Sequence, residues 1–444
     1  IVHQSRGIFL WTTLVIEGLF QRGSSPAEWE RALGTLPSGN DLFQLLCHIV
    51  QRIPEGNIDE ARNMIILAIT STRSLSTSEF AALLAIQKSR RFGEIARNTA
   101  TEIEHDVRTL CLSLLSCARG FVGPFHHIVG EFFHSEACPT KFRVDRGEAQ
   151  GVFAKTCLKC LRFMQIPADR DAEVADPLGY AADNFLYHTM QASEARQMEL
   201  ANPIRNFLWS KENFTLWLQF VWDTGELLRQ DLALFQIKSA ILTKDFKLGI
   251  PHEVTPIHIL ALVAKSQKLF SKLACEASKD GVWFNFQQTD SQGRSVLHWA
   301  SGEYAETINQ DEAVEDDGIV QYLLSRGLDP NTKANNGRSP MHIVAQHGSC
   351  KNFISLYKNK ADCNAKDKSL LTPLHLSVMV PGSIDRLLDL LKVGAEVDTR
   401  EEGQWTPLHL AAQNGHAEAI GALVAAGASV DAQEEHKATP LHLA

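Results

Sequence analysis

Histidine and cysteine carry what chemistry this chain has to offer. His126, His127 and His134 lie close together, Cys157 and Cys160 form a CxxC pair, and further histidines recur at 258, 298, 342, 375, 409 and 442. Imidazole and thiolate are zinc ligands, and imidazole is the side chain best suited to moving protons near neutral pH. A plainer role is at hand for each group. The CxxC stands among Leu158, Leu161 and Phe163 with no second cysteine pair near it, which reads as core cysteines on a helix face. His126, His127 and His134 fall where a strand gives way to a helix. No Gly-x-Ser-x-Gly elbow, HExxH or Gly-Lys dipeptide occurs, so there is no hydrolase elbow, no metalloprotease motif and no phosphate-cradling Walker A loop. No catalytic, metal-binding or cofactor-binding residue is expected in this chain.

The recurring histidines keep a period. Ser339-Pro340-Met341-His342, Thr372-Pro373-Leu374-His375, Thr406-Pro407-Leu408-His409 and Thr439-Pro440-Leu441-His442 start 33, 34 and 33 residues apart. Degenerate copies stand at Thr255-Pro256-Ile257-His258 and Ser295-Val296-Leu297-His298. Fixed self-similarity at this length marks a stacked repeat array. Within one period, the hydroxyl residue caps a helix and the proline occupies a first-turn position where no N–H is missed. Leu408, Leu410, Ala411 and Ala412 form a short apolar helix broken at Asn414-Gly415; Ile420, Leu423 and Val424 lie on a second that stops at Gly427. A polar turn follows, as at Asn335-Asn336-Gly337. One such unit cannot bury its own apolar face and needs a neighbour. The histidine is then best placed to hydrogen-bond the neighbouring turn. Copies on adjacent helix pairs stand about 8–10 Å apart, too far to share a metal.

The run TPLHLAAQNGH followed by LVAAGASVDAQ resembles the ankyrin repeat, and the resemblance extends from Val254 to Ala444. About five repeats are expected, with the start of a sixth; the end inside a repeat and the absence of an initial methionine read as a segment of a longer protein. The insertion GEYAETINQDEAVEDDG between Gly302 and Gly318 carries seven acids and no base, and is either a tolerated surface loop or an acidic docking loop. The resemblance implies binding of another protein through turn tips and the inner faces of first helices. The candidate contacts are Lys333, Asn335, Lys366, Lys368, Arg400, Glu402, Gln404, Trp405, Glu434 and Glu435. An aromatic at a turn tip is a binding hot spot or a side chain stacked on the next turn, and Trp405 is open to both readings.

Bulk composition narrows the class. The chain has 444 residues, 44% hydrophobic and 21% charged, ordinary for globular domains. Its net charge of −9, with no basic concentration in any part, gives no footprint for nucleic acid. The longest apolar stretch, Ile8 to Phe20, is too short for a bilayer and contains Glu17. Nine scattered cysteines make no disulfide framework and fit a reducing, cytoplasmic setting.

Ahead of the repeats the pattern is mostly helical. Helices are expected over Ile8–Phe20, Leu42–Ile53 and Ala61–Thr70. A capping pattern at Ser76-Thr77-Ser78-Glu79 opens another at about Ser78, and Leu110–Ser116 with Phe121–His127 reads as a hairpin around Ala118-Arg119-Gly120. Helix, helix and hairpin in that order outline a winged helix. Phe214, Trp217, Phe220 and Val221 share a helical face and read as packing rather than a ligand platform. The segments RGIFLWTTLVIEGL, Leu36-Pro37, TSTRSLSTSEFAALLAI, FHHIVGEFF, Cys157-Leu158 and GYAADNFLYH resemble, in that order, fungal NACHT and ankyrin proteins, signalling NTPases similar to animal NLR receptors. That resemblance implies a helical segment at 1–56 after an absent NACHT domain, a winged-helix-like domain at 57–139, a helical linker domain at 140–250 and ankyrin repeats at 251–444. The expected fold is mainly α, a helical and winged-helix module followed by an ankyrin-repeat α-solenoid. A plain ankyrin adaptor and a winged-helix DNA-binding regulator are the alternatives. The second is disfavoured because Ser78 to Ile86 carries no Lys or Arg.

Overall fold

The protein is described from a computed structural model. It covers residues 42–89, 91, 94–162, 176–224, 255–263, 267–277, 286–302, 318–347, 349–380 and 384–444. The expected helix over Ile8–Phe20 and the acidic insertion lie outside these residues, as do most of 1–56 and the side chains of Phe220 and Val221. The chain forms two compact units, Ile1–Phe207 with Thr215–Asp231, and Leu208–Phe214 with Leu232–Ala444.

In the front unit α1 (Leu42–Val50) buries Leu45, Leu46, Ile49 and Val50, and ends ahead of Pro54. α2 (Ile58–Thr70) begins three residues before the expected Ala61, because Asp59 and Glu60 suit the positive end of the helix dipole. β1 (Leu75–Ser76) leads into α3 (Thr77–Lys88). The capping box sits two residues earlier than its expected helix start: Ser76 Oγ accepts from the Glu79 N–H at 3.1 Å and Glu79 Oε2 from the Ser76 N–H at 2.8 Å. Burial opposes the Glu79 charge, but the paired Arg73 guanidinium and the Ser76 N–H outweigh it and hold the carboxyl below its usual range.

The expected hairpin is present with shorter strands. After α4 (Ile95–Asn98), α5 (Ile103–Leu110) takes Leu110, and β2 (Leu115–Ala118) and β3 (Phe121–Pro124) pair around Arg119-Gly120. Both turn residues have positive φ, 54° and 79°, the geometry of a two-residue hairpin turn. β1 adds to β3, so the antiparallel sheet runs β1-β3-β2. Two residues carry no readable alternation, which is why this strand escaped the sequence.

α6 (His127–His134), α7 (Arg146–Arg162), α8 (Asp176–Gln191), α9 (Glu194–Leu208) and α10 (Lys211–Thr224) follow. Phe153 of α7 stacks on Tyr180 and His188 of α8 at 5.3 and 4.2 Å. Trp217 is buried against Phe185 and donates its indole N–H to the Ala182 carbonyl at 2.9 Å. This aromatic therefore packs, as expected.

The back unit alternates two layers of short helices. First helices are α11 (Pro256–Val263), α13 (Val296–Ser301), α15 (Pro340–His347), α17 (Pro373–Met379), α19 (Pro407–Gln413) and α21 (Pro440–Leu443). Second helices are α12 (Gln267–Ala277), α14 (Ile319–Ser325), α16 (Cys350–Lys358), α18 (Ile384–Lys392) and α20 (Ala417–Ala425). Each first helix packs on the next first helix and each second helix on the next second helix. The core repeats with them: Leu297, Met341, Leu374 and Leu408 from one layer meet Leu323, Leu356, Leu390 and Leu423 from the other, all buried. The fold is mainly helical, and its C-terminal part is an α-solenoid in which contact is between neighbours.

Candidate functional site

The array is joined by a histidine relay. In each described repeat the capping residue and the histidine three positions on make the same pair. The Thr372 N–H donates to His375 Nδ1 at 3.2 Å, and the Thr372 hydroxyl lies 2.9 Å from that nitrogen. Ser295, Ser339 and Thr406 repeat this with His298, His342 and His409. With Nδ1 accepting, the proton sits on Nε2, which donates to a carbonyl of the next repeat. The bonds are His298 to Arg338 (3.0 Å), His342 to Leu371 (3.0 Å), His375 to Trp405 (3.2 Å) and His409 to Ala438 (3.2 Å). Burial pushes His298 and His342 down to about 4, and lowers His375. His258 keeps the cap on Thr255 and is also pushed to about 4 by burial, but its buried Nε2 has no hydrogen-bond partner among the described residues. That junction runs into the longer, 40-residue period.

Acids frame the turns. Asp367 Oδ1 accepts from the N–H groups of Ser369 (2.9 Å) and Leu371 (3.0 Å). Asp290 serves Gln292 and Arg294 in the same way, and Glu434 serves His436 and Ala438. Glu434 is buried and held on its own turn, with the His436 N–H keeping its carboxyl low. It belongs to the frame and not to the displayed candidates, a correction whose physical reason is the pair of N–H bonds that hold its carboxylate on its own turn. The tips are stitched together by one backbone bond per junction: Asn335 N–H to Gln292 (2.8 Å), Lys368 N–H to Asn336 (2.9 Å), Glu402 N–H to Ser369 (3.1 Å) and Glu435 N–H to Gly403 (3.4 Å).

Around this frame the other candidates are displayed. Lys333, Asn335, Lys366, Lys368, Arg400, Glu402, Gln404 and Glu435 are all exposed. Two lie along the stack: Lys333 Nζ reaches the Lys366 carbonyl at 3.0 Å and Arg400 Nη1 the Gln433 carbonyl at 2.7 Å. Asn335 Nδ2 donates to the Ser291 carbonyl at 3.1 Å. Trp405 is half-buried. Its N–H is held by Glu401 Oε1 (3.1 Å), its carbonyl takes the His375 bond, and its ring centre lies 6.0 Å from that of His409. Part of the indole is spent on the turn and part is displayed.

One tip residue was missed. The position after the first two tip residues is glycine at 293 and 337, with φ of 72° and 82°, and at Gly337 an added Cβ would stand 2.8 Å from the Lys368 nitrogen. Leu370, Gln404 and Lys437 occupy the same position with φ of 60°, 63° and 65°. Leu370 is 40% exposed, so its apolar side chain is neither relaxed nor covered. Two sister repeats have glycine there and two have Gln404 and Lys437, so side-chain type alone does not single the leucine out. Leu370→Gly is expected to raise stability by about 1 kcal/mol by relieving the left-handed backbone, read as a higher urea midpoint.

The histidines and cysteines of the front unit are placed structurally. His126 caps α6, its Nδ1 accepting from the Ile128 N–H at 3.3 Å, and its ring centre lies 4.1 Å from that of His127 with the planes tilted by 36°. His134 Nδ1 is instead 2.8 Å from the Val144 carbonyl. Cys157 and Cys160 are buried in α7, where burial raises both thiols, Cys160 to about 12. Among the described residues no three His, Cys, Asp or Glu side chains converge as a metal site. Among the same residues no helix is long and apolar enough to cross a membrane.

Residues 311–401 and 374–444 each match the family model described as "Ankyrin repeats (3 copies)". This part of the chain is an ankyrin-repeat array. Two curated relatives share it. The chain is 59% identical over 34 residues to the potassium channel AKT1 of Arabidopsis thaliana, covering 8% of this chain and 4% of that one. It is 36% identical over 74 residues to NF-kappa-B inhibitor delta of Mus musculus, covering 15% of this chain and 23% of that one. The chain thus spans a small fraction of the length of either relative.

Proposed function

We propose that the chain is a protein-interaction scaffold whose ankyrin array captures a partner protein on its turn tips and first-helix faces. The observation that carries this reading is a division of labour. Stacking is done by buried histidines, turn-framing acids and backbone bonds, while charged, amide and apolar tip side chains remain exposed. An array of this kind offers surface rather than chemistry, and ankyrin repeats serve protein binding. Trp405→Ala is expected to weaken capture of the partner at least tenfold, with a small change in melting temperature. A large loss of melting temperature with capture unchanged would assign the indole to the turn alone.

We propose further that the array is the ligand-sensing part of an intracellular, receptor-like signalling NTPase, in which a ligand on the repeats shifts a closed nucleotide-bound state toward assembly. The front unit supports this reading, since helices α1 to α3, the three-stranded sheet and the order of the quoted segments fit a helical and winged-helix module. The reading requires a Gly-Lys-Ser/Thr phosphate loop in the coding sequence upstream of Ile1. A plain ankyrin adaptor requires none.

A further inference from the structure

Two thiols of the front unit approach each other from distant parts of the sequence. Cys47 on α1 donates its S–H to the carbonyl of Ala137, in the loop after α6, at 2.9 Å. Standard peptide dimensions place the α-carbon of the next residue about 3 Å from a carbonyl oxygen, so the Cys138 α-carbon lies within about 6 Å of Cys47 Sγ. That proximity is maintained by packing, since Phe43 of α1 meets Phe132 of α6 edge-on at 5.7 Å. The two side chains differ in access: Cys47 is half-buried and Cys138 is 1% exposed, with its thiol turned toward the Pro139 carbonyl. Burial first, and then the neighbouring Cys47, push the Cys138 thiol up to about 12. The other close cysteines lack this combination. Cys111 is buried against the Ala61 carbonyl and Met64, and Cys157 and Cys160 are both buried inside α7.

We propose that Cys47 and Cys138 form a reversible disulfide that ties α1 to the loop after α6 when the chain meets a low-molecular-weight disulfide such as oxidised glutathione. The Cys47 thiolate attacks one sulfur of that disulfide, the S–S bond breaks, and one small thiol leaves. Cys138 then loses its proton to solvent and attacks Cys47 Sγ, which expels the second small thiol. Two protein thiols are oxidised to one disulfide, and one small disulfide is reduced to two thiols. Because the buried thiol must ionise for the second step, closure is slow at neutral pH and accelerates about tenfold per pH unit. The bond closes a loop of about 90 residues, a length at which a cross-link strongly restricts the unfolded chain.

The test is to hold the full chain in oxidised glutathione, trap remaining thiols with iodoacetamide, and map the tryptic digest by mass spectrometry without reductant. The expected result is a linked pair of peptides carrying Cys47 and Cys138, reversed by dithiothreitol, absent in Cys47→Ser and in Cys138→Ser. Oxidised wild type should melt above reduced wild type, and the half-buried Cys47→Ser variant should show no such difference. Cys47 recovered only as its glutathione adduct, alkylated, or joined to a different cysteine in chain that remains folded would overturn the proposal.

Discussion

His375→Ala is expected to cost the array about 3–5 kcal/mol, far more than truncation of a surface side chain. The change strips the buried Thr372 N–H of its acceptor and the Trp405 carbonyl of its donor, each loss costing about 1–3 kcal/mol. The vacated ring volume adds a cavity term. Because one of these bonds lies within a repeat and the other crosses to the next, the loss falls partly on the coupling between repeats. Unfolding of the array should therefore broaden and separate into two transitions, one on each side of the junction. His375→Gln divides the two contributions: a glutamine at this position can accept from the capping N–H but lacks the ring geometry that reaches the Trp405 carbonyl. It should recover about half of the loss in urea denaturation. Equal stability of the alanine variant and the wild type would remove the relay from the account.

Acid should weaken the same relay well before most carboxylates titrate. In the folded array His258, His298 and His342 stay neutral down to about pH 4, because burial disfavours the charged ring and Nδ1 is needed as an acceptor. In the unfolded chain they take up protons below about 6.5. The unfolded state therefore binds more protons throughout the window from about 6.5 to 4, and stability falls as pH falls across it. Each ring contributes up to about 1.4 kcal/mol per pH unit, so three contribute on the order of 5 kcal/mol between pH 7 and pH 5. Above 6.5 the contribution is complete and flat; below about 4 these rings remove no more. Urea midpoints measured at half-unit steps of pH should show this slope, and His342→Gln should flatten it by about a third. A midpoint unchanged between pH 7 and pH 5 would show that the imidazoles are not held neutral.

The period, the capping hydroxyl, the first-turn proline and the histidine were readable because a stack forces every repeat to solve the same problem with the same residues. The turn acids recur five residues before the cap at 290, 367, 401 and 434 but are interrupted by Ala334, and acids on a polar turn look like display until their N–H partners are seen, so Glu434 stands among the sequence candidates for partner contact. Leu370 was passed over because its departure is conformational: the side chain is ordinary and the φ is not. In the front unit the capping box at Ser76 carried its own signature, whereas β1 is defined by pairing with β3, a long-range relation that two residues of local sequence do not encode. The placement of Cys47 beside Ala137 has the same character.

The claim on which the functional account rests is that the tips, and not the backs of the second helices, meet the partner. A photo-crosslinking residue placed at Gln404, on an exposed tip, and separately at Ile354, exposed on the second helix α16 of an earlier repeat, tests it in the full chain in cells. The account predicts a discrete protein adduct from position 404 that Trp405→Ala diminishes, and none from position 354. Adducts from position 354 with none from position 404 would contradict it.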